Sequence, residues 1–140
     1  GIANISIQPI LAGRKAILGF PITPYRMVGT QELADVAVDG LGKHHQGVIL
    51  QNHGTLAVGS TVEEAFETAI YMEEMAKMQL IALLAGKGRI RILSDDDRKE
   101  FLEKFADSLG IERSEIQNII GSSRRSNTKS RSKRRSLDVQ

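Results

Sequence analysis

Val48-Ile49-Leu50-Gln51-Asn52-His53-Gly54-Thr55-Leu56-Ala57-Val58 is the stretch on which the reading of this chain turns. Two short runs of aliphatic and β-branched residues, 48–50 and 55–58, flank the polar tetrad from Gln51 to Gly54. Side chains of that kind suit a pleated, half-buried surface, so both runs read as strands. His53 then falls at a strand end or in a tight turn, and Gly54 permits the sharp backbone such a turn needs. From residue type alone a solitary histidine reads as structural. Neutral imidazole suits zinc, but a catalytic zinc site takes three protein ligands and an open position, and no His-x-His pair accompanies His53.

Upstream, Ile17 to Ile22 is an apolar run bounded by Pro21 and Pro24, which predicts a strand leading into a constrained loop at Pro24-Tyr25-Arg26-Met27-Val28-Gly29. Thr30 is placed to cap a helix over 31–41. Leu33, Val36, Ala37 and Leu41 form its apolar stripe, and Gly42 suits its C-terminal stop. Downstream, Gly59-Ser60 breaks the second run. Thr61-Val62-Glu63-Glu64 has the form of a capping box opening a long helix over 62–85. Ala65, Ala69, Met72, Ala76, Leu80 and Leu83, broadened by Phe66, Ile70 and Leu84, form its expected core stripe. The Met72, Met75 and Met78 cluster reads as adaptable core filler. Ser94-Asp95-Asp96-Asp97 starts another helix, its carboxylates complementing the positive end of the helix dipole. Phe101, Leu102, Phe105 and Leu109 are expected to face the core, Gly110 to close that helix, and Ser114 to Ile120 to add a short last one.

Composition excludes several chemistries. Cysteine is absent, so disulfides and thiolate metal sites are ruled out and any metal must take nitrogen and oxygen ligands. No apolar run reaches membrane-spanning length and no secretory signal opens the chain, so a cytoplasmic location is expected. The first residue is Gly1, not methionine, so the C-terminal part of a longer protein is expected, with processing of a precursor as the alternative. Residues 1–120 carry 12 Lys+Arg against 16 Asp+Glu, a charge of −4, whereas 121–140 carry 7 Lys+Arg and the single acid Asp138, a charge of +6. The net +2 is thus a property of the tail and does not make the domain a nucleic-acid binder. The chain divides into a domain over 1–120 and a basic Ser/Arg/Lys-rich segment over 121–140. That segment is expected to be disordered because it is too poor in apolar residues to offset ordering entropy. It could contact anionic surfaces or be phosphorylated at Ser126 and Ser136.

Other constellations are weaker. His44 and His45 are adjacent in a polar stretch, where extended neighbours point apart and chelate poorly, so they read as surface loop. No Gly-x-Ser-x-Gly elbow supports a serine nucleophile. Gly86-Lys87-Gly88 ends a helix, whereas phosphate cradles open one. Asp95 to Asp97 lack the ligand spacing and closing glutamate of a calcium loop.

Three blocks together resemble the class II aldolase/adducin family, whose members include fuculose-phosphate aldolase and ribulose-phosphate 4-epimerase. They are Ile22 to Leu33, with its proline-tyrosine loop running into Gly29-Thr30-Gln31-Glu32-Leu33; Val48 to Gly59, with Asn52-His53-Gly54; and Thr61 to Phe66, leading into the helix that bears Glu73-Glu74. Ile92 to Asp95 and Leu102 to Phe105 extend the resemblance, which covers about residues 8–110. It implies an α/β fold, the C-terminal part of a three-layer α/β/α sandwich on a mainly antiparallel sheet. It also implies a zinc-dependent lyase cleaving or forming a C–C bond of a sugar phosphate, in a homotetramer. The metal would polarise the carbonyl and hydroxyl oxygens of substrate, a ketose phosphate or a small aldehyde. His53 would be the last of three histidine ligands. Tyr25 would orient substrate and Phe105 would close over the pocket. Val28 stands where relatives often carry an aromatic residue. The family's His-x-His pair, catalytic acid and glycine-rich phosphate site precede the region where this chain begins, so the chain is expected to be inactive alone. Two alternatives stay open: an adducin-like, non-catalytic binding module with a basic tail, and an epimerase or dehydratase using the same metal.

Overall fold

In the computed structural model, residues 6–10 and 16–121 are described. The basic segment expected at 121–140 lies, apart from Gly121, outside them. The fold is α/β. Strand β1 (Ile22–Thr23) is followed by α1 (Gln31–Leu41), β2 (Gly47–Leu50), β3 (Gly54–Ala57), α2 (Val62–Ala85) and α3 (Asp95–Leu109). A 3-10 turn at Arg113–Glu115 continues as α-helix over 116–121, where the sequence predicts a short last helix.

The sheet has the order β1-β2-β3. β1 runs parallel to β2, pairing Ile22 with Ile49, and β3 returns antiparallel, pairing Gly47 with Ala57 and Leu50 with Gly54. Of the strand expected over 17–22 only Ile22 belongs to β1, which ends at Thr23. Gly19 takes φ +66, and a Cβ there would collide with the carbonyl oxygen of Ile7, so the chain turns where the apolar run predicts extension. Phe20 instead makes an isolated antiparallel bridge with Ile7.

Helices approach residues of opposite parity on β2. Val48 lies under the C-terminal end of α1, whereas a Cβ on Gly47 would meet the Met72 sulfur of α2 at 2.5 Å. Met72 and Met75 join Ile7, Ala16 and Phe20 in one core, with Ile49 and Ala57 packed beside them. A second core gathers Ile17, Leu102, Ile116, Ile119 and Ile120 under α3. Burial of each such side chain contributes roughly 1.5–3 kcal/mol. Ala16 and Ile17 are neighbours in sequence and enter different cores, so this one turn joins the two.

The α2 stripe is corrected by the structure. Its buried line is Thr68, Met72, Met75 and Gln79, while Phe66, Ile70, Leu80 and Leu84 are exposed. Apolar residues occur all round this helix, so periodicity fixes its existence without fixing which side meets the sheet. Gln79 decides the matter: its Oε1 accepts from the Gln8 N–H at 2.7 Å and its amide donates to the Ser6 carbonyl at 3.2 Å. Met78 is likewise exposed, unlike Met72 and Met75. On α3, Leu102 is fully buried and Phe101 and Leu109 pack against the second core, but Phe105 is 40% exposed and does not face the core. Among the described residues, no helix is long and apolar enough to cross a membrane.

Candidate functional site

β2 and β3 form a hairpin, and Gln51, Asn52 and His53 are the three residues of its loop. Asn52 takes the left-handed conformation at φ 63, which asparagine tolerates better than most residues. The turn closes through the His53 N–H, which donates to the Leu50 carbonyl at 3.0 Å. His53 is therefore held on a short, stiff loop with its imidazole exposed.

The 24–28 loop lies against this turn. The Tyr25 backbone N–H donates to Gln51 Oε1 at 3.0 Å, tying the loop to the hairpin. That tie brings the Tyr25 ring onto the His53 imidazole, with centroids 5.3 Å apart and planes 18° from parallel. It also brings His53 Nε2 to 2.7 Å from the Arg26 carbonyl oxygen. A carbonyl only accepts, so Nε2 is the donor, and in the neutral ring Nδ1 holds the lone pair. An imidazole whose N–H is anchored on a backbone carbonyl has the orientation and tautomer of a metal ligand's ring. The Arg26 guanidinium folds back to donate to the Tyr25 carbonyl at 2.8 Å, leaving the loop's outer surface to Met27 and Val28, both exposed.

His53 and Tyr25, singled out in the sequence, are thus in contact; Phe105 is elsewhere. Its ring packs on Phe101 at 4.7 Å with Lys104 above it, and among the described residues no ring contact joins it to Tyr25 or His53. Gln51 went unrecognised in the sequence because a side-chain bond across 26 positions has no periodic signature. Among the described residues, no group of three or more His, Asp or Glu is placed to hold a metal, so His53 does not form such a site with this chain's described residues alone.

His44 and His45 lie at the other end of the hairpin. With Lys43, Gln46 and Ser60 they line a cavity of about 410 Å³ floored by Ile17, Val58 and Leu102. They lie in the loop between α1 and β2, as the polar stretch suggests, and are partly buried. Burial pushes the His45 imidazole below its usual pKa, opposed by a bond to the Leu41 backbone and assisted by the positive fields of His44 and Arg98.

Similarity to a family model spans the three blocks between Ile22 and Phe66. Residues 2–80 match the family model described as Class II Aldolase and Adducin N-terminal domain. Over 82 residues the chain is 32% identical to 5-deoxy-D-ribulose 1-phosphate aldolase of Bacillus thuringiensis serovar kurstaki, a match covering 59% of this chain and 37% of that enzyme. Over 67 residues it is 33% identical to Protein hu-li tai shao of Drosophila melanogaster, covering 48% of this chain and 6% of that protein. The chain therefore spans well under two thirds of the length of either relative. No solved structure matches it significantly. The family model covers more than half of the 140 residues, and its span contains the hairpin, the 24–28 loop and most of α2. This chain belongs to the class II aldolase and adducin family.

Proposed function

We propose that the chain forms part of a metal-dependent, class II aldolase-like lyase that makes or breaks a C–C bond of a sugar phosphate. The observation that carries this reading is the setting of His53: a stiff loop, an Nε2–H anchored on the Arg26 carbonyl, and an Nδ1 lone pair turned to no described partner. Likeness to an aldolase named for a 1-phosphorylated ketose supports the substrate class. The metal would be zinc, which polarises carbonyl oxygen when bound. The described residues offer it one ligand where three are needed, so the remaining ligands come from outside them. In this reading His53 supplies one nitrogen, Tyr25 shields and orients its ring, and Gln51 fixes the loop that carries both contacts. The complete domain would be a three-layer α/β/α sandwich with a mainly antiparallel sheet, a reading supported by helices approaching β2 residues of opposite parity.

The test is metal content. Full-length protein is expected to hold about one zinc per subunit, and His53→Ala to lose it together with lyase activity. Zinc retained at the wild-type level in His53→Ala would overturn the reading.

A second reading, a non-catalytic adducin-like module with a basic tail, is favoured by two observations. One is the family model, whose description includes adducin, and the other is the likeness to Protein hu-li tai shao. It requires co-sedimentation with anionic lipid vesicles that is lost on removing residues 121–140. Failure to co-sediment in either form ends it.

A further inference from the structure

At the base of the hairpin, away from His53, the cavity lined by Lys43, His44, His45, Gln46 and Ser60 takes no part in the metal reading. Four segments build its wall: the turn at 17–19, the loop between α1 and β2, the exit from β3 and the C-terminal end of α3. A volume of about 410 Å³ suits a small molecule, and such pockets join an apolar surface to a few convergent polar groups. Ile17, Val58, Leu102 and Leu109 supply the apolar surface here.

The polar side has one sign of charge. Three bases line it, Lys43, His44 and His45, and among the described residues that do so none is Asp or Glu. Glu64, whose carboxylate accepts from the Ser60 N–H at 2.9 Å, is engaged at the start of α2. Arg98 adds its positive field at His45. A cleft with apolar walls focuses such a field, so the cavity favours an anionic group. The C-terminal end of α3, at Leu109 and Gly110, carries partial negative charge and leaves that group the Lys43 side.

Gln46 adds a second requirement. Its main-chain carbonyl accepts from the Val58 N–H at 2.8 Å, closing the base of the hairpin, but its side-chain Oε1 is buried and accepts no hydrogen bond. A buried acceptor left unpaired is costly, and on a residue lining a cavity it calls for a donor from outside the chain. A hydroxyl is a donor that a small anion can carry. We propose that this cavity binds a small anion bearing at least one hydroxyl group, its anionic oxygens held by Lys43 and His44 and its hydroxyl donated to Gln46 Oε1. The four residues of β2, about 13 Å of strand, separate this site from the His53 loop, and it is independent of the metal reading.

The experiment titrates full-length, histidine-labelled protein and follows the imidazole resonances, assigned by His→Gln variants. The probes form two pairs that differ in hydroxyl content: glycerol 3-phosphate with inorganic phosphate, and lactate with propionate. The His44 and His45 resonances are expected to move, and that readout separates this site from any phosphate binding near His53. Whichever pair binds identifies the anion as phosphate or carboxylate, and within it the hydroxylated probe should bind roughly tenfold more tightly. Lys43→Ala, at an exposed position, should weaken binding by roughly tenfold. Gln46→Leu, verified as folded by circular dichroism, should keep the anion and lose the preference for a hydroxyl. Unmoved His44 and His45 resonances with all four probes, as when another segment of the full-length protein fills the cavity, overturn the proposal. So does an affinity unchanged in Lys43→Ala, or a hydroxyl preference that survives in Gln46→Leu.

Discussion

His53 and Gln51 act through one loop, and the division of labour between them can be measured. Gln51 Oε1 holds the Tyr25 backbone, and through it the Arg26 carbonyl that takes the His53 Nε2 proton. Gln51→Ala removes an exposed hydrogen bond and should cost about 1 kcal/mol or less in stability. Its larger effect should be on the imidazole. Without the tie, the 24–28 loop relaxes, and the Nε2–H form of His53 gives way to a tautomer mixture, visible in the ring 15N chemical shifts. Shifts identical to wild type would show that Arg26 is held in place by other means. Of this constellation only part is legible in the sequence. Asn52-His53-Gly54 and Pro24-Tyr25 stand out as local motifs, whereas the bonds joining them connect residues 26 and 27 positions apart. Such contacts depend on β1 lying parallel beside β2, and a two-residue strand leaves too short a pattern to predict that pairing.

At the level of elements, local chemistry predicts what local chemistry decides. Thr30 caps α1 by accepting from the Leu33 N–H at 3.3 Å, and Thr61 caps α2 through the Glu64 N–H at 3.2 Å. Both helices then span the residues their capping signals and apolar spacing predict. The Glu64 carboxylate reaches the Ser60 N–H at 2.9 Å, one residue short of the reciprocal bond a full capping box would make. α3 has the complete box, in which the Ser94 hydroxyl accepts from the Asp97 N–H and the Asp97 carboxylate accepts from the Ser94 N–H. Ser94→Ala should therefore destabilise the protein by about 1 kcal/mol in chemical denaturation, within the range for a lost N-cap. An unchanged midpoint would mean that α3 is set by its packing alone. Side-chain orientation escapes this local logic. α2 could bury either of two apolar sides, and the choice rests on Gln79 meeting Gln8 and Ser6, more than 70 positions away. The side not chosen is the seam of Phe66, Ile70, Leu80 and Leu84.

Over the whole molecule, a buried charged residue fastens α3 to the turn at which the two cores meet. Arg98 on α3 donates through Nε to the Ile17 carbonyl at 3.2 Å and pairs with Asp95 at 3.2 Å. Its positive field, with that of His44, reaches His45 and adds to the burial that keeps this imidazole neutral. A base whose folded pKa lies below its unfolded value of 6.5 is protonated more readily in the unfolded chain. Its contribution to stability is fully present above pH 6.5. It declines as pH falls below that point and is lost once pH has passed through the lowered folded value. Asp97 contributes in a separate window. Its bonds to Ser94 lower its pKa below 3.8, so its share persists until pH falls through that range. Unfolding free energy measured by denaturant titration should accordingly begin to decline below about pH 6.5, well before the carboxylates titrate. His45→Gln, an uncharged polar residue near imidazole in size, should flatten that first decline and leave the acid limb in place. A first decline of undiminished size in His45→Gln would assign it to another group.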